Sequence, residues 1–416
     1  MRINLNSVSR KLAFICICIA GVALYAGAIG RHYFAAGLAM QTDLASLERA
    51  ANLEPWNAEP QWKLGRYLLL VAQNPTLAVS KLKAAVAVNP HIARYWLDLA
   101  SAYQVNSDLQ GQRSALRHAL SAEPTDPTVA WETANFYLVQ DDLARALPLF
   151  QVVMKNDPEQ VNYALRLCWR ATQDVKMMLA EAVPAEPAPY FAFLRLLTDM
   201  DKTAAAEGVW NGLMNLDQPF SFSDAFPYFD YLIKKHETAA AEQVWQQLVR
   251  RNRQLQTYQQ PGNLIVDGDL EKDFLNGGFD WRYTIIDPVQ LSVDTTEFQS
   301  GNQSLRMRFK GPPVGEVGIL EYVPVEPNVQ YHFSVYTKAE DIESASGPRL
   351  SVADVYSAES YVLTDDSLGT TGWRQQSADF RTGPETSLLA VQVARVPADP
   401  LIKGTFWIDD VKLVQR

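Results

Sequence analysis

The chain is poor in the groups that most enzyme chemistry requires. Only three cysteines occur in 416 residues, and two of them, Cys16 and Cys18, lie inside an apolar N-terminal run. Cys168 stands alone in the remainder, so no intramolecular disulfide can form there, and no Cys/His cluster has zinc-site spacing. Its expected role is that of a small buried hydrophobe. The five histidines, His32, His91, His118, His236 and His332, are scattered along the chain. A G-x-S-x-G elbow, a phosphate loop and an H-E-x-x-H pair are all missing. No enzymatic activity is expected. Positive charge is scarce too: 37 Lys and Arg against 47 Asp and Glu give a net charge of −10, which argues against nucleic-acid binding. The one basic cluster, Arg250, Arg251 and Arg253, falls near the end of an expected helix, where cations complement the helix dipole.

What the chain has begins with an anchor. Residues 12–29, LAFICICIAGVALYAGAI, carry no charge. At about 1.5 Å per residue this run approaches the roughly 30 Å hydrocarbon thickness of a bilayer. Arg2, Arg10 and Lys11 precede it and Arg31 follows, so the positive-inside rule puts the N-terminus in the cytoplasm and the bulk of the chain outside. The rival reading is a cleaved signal peptide, because Ala26-Gly27-Ala28 has the small-x-small form of a cleavage site. Both readings export the rest.

Prolines then recur at Pro55, Pro90, Pro124 and Pro158, with spacings of 35, 34 and 34 residues. Trp62, Trp96 and Trp131 keep step with them and are expected to pack in the core. Leu143, Ala146, Leu147, Phe150, Val153 and Met154 mark one helical face. These units resemble the tetratricopeptide repeat, a 34-residue helix–turn–helix. Ala134, Tyr137, Ala146 and Phe150 fall on the family's small and aromatic positions, as do Ala100, Tyr103, Leu116 and Ala119. In the preceding unit Ala78, Leu82 and Ala85 match, whereas Gly65 is one place out of register. A second duplication runs from Thr203 to Trp210 (TAAAEGVW) and again from Thr238 to Trp245 (TAAAEQVW). Six or seven helical hairpins are therefore expected between about residues 35 and 257, stacked into a superhelix whose groove binds partner proteins.

Composition shifts at Gln259-Gln260-Pro261-Gly262: eight of the 21 glycines precede this point and thirteen follow from Gly262 on. Alternating runs such as Leu305–Phe309, Tyr331–Val335 and Leu389–Val393 predict half-buried strands of an all-β sandwich. Residues 263–416 resemble the jelly-roll carbohydrate-binding modules of families four and nine. The resemblance rests on NLIVDGDLE at residues 263–271, Trp281, GNQSLR at 301–306, Tyr331–Lys338, Thr371–Trp373 and WIDDVKL at 407–413. The expected organisation is a transmembrane anchor (1–33), an all-α repeat superhelix (34–258) and a jelly-roll sandwich (262–416).

The resemblance implies sugar binding through an aromatic platform and planar polar groups. Trp281, Trp373 and Trp407 are the family's core positions and are expected to be structural. Strand parity instead exposes Tyr336, Arg349 and Gln392, expected to form a sugar-contacting face, with Tyr356 as an outlying addition. The resemblance also implies a structural calcium held by Glu271 and Asp409, against the alternative that these carboxylates bond turn amides. No other cofactor is expected. The combination looks bacterial: a single-pass inner-membrane protein with a periplasmic bulk, scaffolding cell-envelope or exopolysaccharide assembly through protein partners and polysaccharide. A pure protein–protein adaptor, or an accessory subunit that brings an enzyme to polysaccharide, are the alternatives.

Overall fold

The computed structural model describes residues 8–416; Arg2, counted above among the charges before the apolar run, lies outside the described residues. Helix α1 (Val8–Ala39) contains the whole apolar run. It is the one helix among the described residues long and apolar enough, by length and composition, to cross a membrane. Its C-terminal turns are packed. Ala35 and Ala39 are buried, the Arg31 guanidinium lies 4.3 Å from the Trp56 ring centre, and His32 Nδ1 is 3.0 Å from the Glu54 carboxylate.

A repeat-like array of helices follows. After α2 (Leu44–Leu53), α3 (Ala58–Leu70) pairs with α4 (Pro75–Val88), α5 (Ala93–Val105) with α6 (Leu109–Ala122), and α7 (Pro127–Val139) with α8 (Leu143–Asn156). Helix α9 (Val161–Thr172) leads into the single turn α10 (Val175–Met177) and a π-turn (Met178–Ala182). Then come α11 (Pro187–Asp199), α12 (Thr203–Met214), α13 (Phe226–Lys234), α14 (Thr238–Arg251) and the short α15 (Arg253–Gln256).

The period is written into the hairpin turns. Gln73, Ser107 and Asp141 all adopt positive φ, at 50°, 59° and 58°, and are 34 residues apart. Each is followed by an Asn or Asp N-cap (Asn74, Asp108, Asp142) whose carboxyl or amide oxygen accepts from a backbone N–H in the next helix's first turn. One left-handed residue reverses the chain and the next one seals the new helix. Ala134, Tyr137, Ala146 and Phe150 are buried, as are Ala100, Leu116 and Ala119. Trp62, Trp210 and Trp245 are buried too, with Trp96 and Trp131 half-buried. Cys168 is fully buried, and burial pushes its thiol up to about 12.

Gly65 turns out to serve the helix crossing. A Cβ there would stand 2.6 Å from Leu82 Cγ and 3.3 Å from the Leu82 backbone nitrogen. Gly65→Ala is expected to destabilise the array by about 1–3 kcal/mol, the usual cost of overpacking. Urea unfolding followed by circular dichroism would measure it, and an unchanged midpoint would contradict the tight crossing.

The strands are β1 (Arg282–Tyr283), β2 (Val289–Asp294), β3 (Ser304–Gly311), β4 (Glu316–Pro324) and β5 (Gln330–Glu343). They continue with β6 (Arg349–Asp354), β7 (Ser360–Leu363), β8 (Gly369–Arg381), β9 (Leu388–Ala394) and β10 (Ile402–Gln415). They form two antiparallel sheets, ordered β1-β4-β9-β6-β7 and β2-β3-β10-β5-β8. Between them lies one core that includes Trp281, Leu305, Met307, Phe333, Leu350, Val391 and Phe406.

Tertiary contacts divide the chain into two compact units, and the second comprises Leu197–Thr203 together with Leu213–Arg416. Helices α13, α14 and α15 thus belong with the strands. The junction is the loop before β1. Gly277 leaves room for Phe226, and Gly278, at φ +63°, leaves room for Trp245. Phe279 inserts between the two helices, with ring centres 4.7 Å from Phe229 and 6.1 Å from Trp245.

Candidate functional site

In the helical array, a cleft of about 230 Å³ opens between α5, α6 and α7. Its lining is rich in uncharged amides, Gln104, Gln112, Asn135 and Gln140, beside Phe136 and Val139. Amides can both donate to and accept from a peptide backbone, and neighbouring apolar side chains can hold an apolar residue.

In the sandwich the first sheet presents a floor of small side chains on its outer side. Gln392, on β9, sits at its middle, directly between Leu320 of β4 and Ser351 of β6. The next row reads Tyr322, Ala390, Ala353. At the other end Arg349 faces Ala394 across the strands and pairs with Asp366 at 3.1 Å. Val391, Val393, Leu350 and Val352 are the inward partners and are essentially inaccessible, so alternation turns Gln392, Arg349 and Ser351 outward. The Gln392 amide forms no hydrogen bond with another described residue. A half-buried, unengaged amide on a smooth floor flanked by a tyrosine and an arginine is a planar hydrogen-bonding group available to a ligand.

Tyr336 does not share this face. It lies on β5 in the other sheet, between Asp409 and Gln375, so the expected grouping of Tyr336 with Arg349 and Gln392 is corrected. Tyr356, just past β6, is engaged elsewhere. Its hydroxyl lies 2.9 Å from Thr238 Oγ1 and donates to the Ile233 carbonyl at 3.2 Å. Its ring stacks on His236 with centres 4.0 Å apart.

The outer side of the second sheet carries a groove of about 880 Å³ lined by Arg306, Arg308, Lys310, Lys403 and Trp407. Trp407 forms its floor, donating its indole N–H to Asp294 at 2.9 Å beneath the Lys338 ammonium, 5.3 Å from its ring centre. Burial alone would raise the Asp294 carboxyl, but the bonds from Trp407, Thr296 and Glu297 outweigh it and hold the group well below the usual range.

Glu271 and Asp409 grip the same loop. Glu271 Oε1 accepts from the amides of Asn302 and Gln303, and Asp409 Oδ2 from those of Gln299 and Ser300. Among the described residues no group of three or more His, Cys, Asp or Glu is disposed to hold a metal ion.

Sequence reasoning did not bring Asp267 together with Asp280 and Glu321 as a buried acidic set. Asp267, Asp280 and Glu321 are almost wholly inaccessible. Each has one oxygen bonded to a backbone amide, of Lys272, Leu275 and Val266 respectively, and one buried oxygen without a partner. Burial, reinforced by the neighbouring Asp280, pushes Asp267 up to about 8. Burial likewise raises Asp280 to about 7 and carries Glu321 well above its ordinary value. The signal was there in Val317-x-Ile319-x-Glu321-x-Val323, where a carboxylate occupies the inward phase of a strand.

Fold and faces together define a helical-repeat protein with an apolar N-terminal helix and a C-terminal jelly-roll sandwich. No protein-family model matches the chain, and no curated protein matches it. Solved structures do. A CBM4 module is similar at 12% identity and TM-score 0.28, over 36% of this chain and 99% of that one. MamA is similar at 17% identity and TM-score 0.31, over 39% of this chain and 88% of that one. The CBM22-1 xylan-binding domain of Paenibacillus barcinonensis Xyn10C is similar at 14% identity and TM-score 0.26, over 36% and 91%.

Proposed function

We propose that this chain is a membrane-tethered, non-catalytic scaffold that binds glycan on the outer face of the first sheet and protein partners along its tetratricopeptide-like repeats. The apolar helix would hold it in a bacterial inner membrane with its bulk in the periplasm, where such a scaffold would serve envelope or exopolysaccharide assembly. A single observation carries the glycan reading: the unengaged Gln392 amide at the centre of a small-residue floor, with Tyr322 to one side and Arg349 to the other. The amide-lined cleft between α5, α6 and α7 supports the protein-partner reading.

The test is affinity electrophoresis of the detergent-held full chain through gels containing xylan, a mixed-linkage β-glucan or alginate. Retardation by at least one polysaccharide is expected. Gln392→Ala should weaken it roughly tenfold, about 1.4 kcal/mol, within the range for a hydrogen bond removed so that the sugar hydroxyl is left unpaired. Unretarded migration in every gel would favour a pure protein adaptor instead.

A further inference from the structure

We infer that the saccharide site is composite: the α13–α14 hairpin supplies one wall of it, with Lys234 and His236 as ligand contacts opposite Tyr322. This rests on the reading of the first sheet's outer face as the glycan site. The hairpin touches that sheet at three places: one at Arg282, which pairs with Leu320 in the Gln392 row, and two at the end where β9 starts. Arg282 of β1 donates to Asp230 at 2.7 Å. Thr238 lies 3.2 Å from Ser387, the residue before β9, and Tyr356, just past β6, bonds Thr238 and the Ile233 carbonyl. The ends coincide because Pro324, which finishes β4, pairs with Leu388, which starts β9, and Leu389 pairs with Asp354 at the end of β6. The hairpin therefore stands across this end of the sheet, beside the row Tyr322, Ala390, Ala353.

Between them lies a cleft of about 420 Å³, lined from the helices by Asp230, Lys234 and His236 and from the sandwich by Arg282, Tyr322 and Tyr356. That volume falls within the roughly 300–1,000 Å³ of small-molecule sites. Of these six polar residues, half are committed to holding the walls together. Arg282 binds Asp230 and the Gly278 carbonyl, and its guanidinium lies 5.2 Å from the Tyr322 ring centre. Tyr356 is bound to the hairpin as described. The other half is unengaged: the Lys234 ammonium, the His236 ring nitrogens and the Tyr322 hydroxyl bond to no other described residue. His236 is at the hairpin turn with φ +63°, and its imidazole, which lines the cleft, is held by its stack on Tyr356, ring centres 4.0 Å apart. A fixed imidazole, an ammonium and a phenol around a polar hollow suit the several hydroxyls of a pyranose, each of which donates and accepts. The consequence is that sugar specificity belongs partly to the repeat segment.

The full chain in detergent would be titrated calorimetrically with cellohexaose, xylohexaose and a hexaguluronate. Lys234→Ala alters an exposed side chain, and His236→Asn keeps a residue type tolerant of positive φ; thermal unfolding of both should match wild type. Each is expected to raise Kd about three- to tenfold for whichever hexasaccharide binds, the range of one lost hydrogen bond, as Gln392→Ala does. If only Gln392→Ala weakens binding, the composite wall is overturned and the sheet face stands. If only the hairpin variants weaken it, the hairpin contacts stand and the sheet-face reading falls. A wild-type chain that binds none of the three overturns both.

Discussion

In urea, the Phe279→Ala chain is expected to unfold its second unit with about 3–5 kcal/mol less stability than wild type, the range for emptying a buried aromatic site. Phe279 is 2% exposed and is wedged edge-on against Phe229 at 4.7 Å and near Trp245 at 6.1 Å. The backbone around it cannot close the gap. A side chain at Gly277 would come within 2.2 Å of Phe226, and one at Gly278 within 2.1 Å of Trp245, so both helices are already at contact. The hairpin should loosen before the strands do. Tryptophan fluorescence of a chain whose other nine tryptophans are replaced by phenylalanine, leaving Trp245, should therefore report an earlier midpoint than far-ultraviolet dichroism of the same chain. Coincident midpoints at the wild-type position would mean that the wedge contributes nothing.

The second unit is also expected to lose stability as the pH rises from about 4 to about 8. Asp267 and Asp280 are raised to about 8 and about 7, and Glu321 lies well above its ordinary value, with burial the leading cause in each case. Carboxyls in an unfolded chain titrate near 4. Below that value both states are protonated and the groups cost nothing. Above it the unfolded chain releases protons that the fold retains. Stability then falls by up to about 1.4 kcal/mol per pH unit for each retained proton, until the folded values are passed. Asp294 works in the opposite sense, since its depressed carboxyl contributes stability above about 4 that disappears in stronger acid. Glu321→Gln should be more stable than wild type at pH 8, and its advantage should shrink towards pH 5. Thermal melts at unit pH intervals would show this, and a flat difference would refute the account.

These two predictions mark where the sequence is readable. Periodicity gave the repeats because a 34-residue spacing of turn, cap and alanine crossing is a local property, set within each hairpin. Alternation gave the strands and told inward from outward in β5, β6 and β9. It could not tell which sheet a strand joins, because both sheets face one core and share the same in–out rhythm; Tyr336 and Gln392 were accordingly placed together when the topology separates them. The Phe279 wedge was hidden for a related reason. Gly277-Gly278-Phe279 reads as a turn before a strand, and nothing local reports that Phe226 and Trp245, some 30 to 50 residues earlier, lean on it. Tyr356, read as an outlying sugar contact, is tied by its hydroxyl to the hairpin for the same reason.

Helix α1 passes from its apolar stretch into the first packed hairpin without a break. Ala35, the first buried residue after Ile29, lies only about 9 Å further along the axis at the usual rise. With the apolar stretch in a bilayer, as proposed, an arm mounted so directly on its post has no leash: it could not drift away from the surface its post enters, and force applied to the first repeats would be borne by that helix rather than absorbed by slack chain.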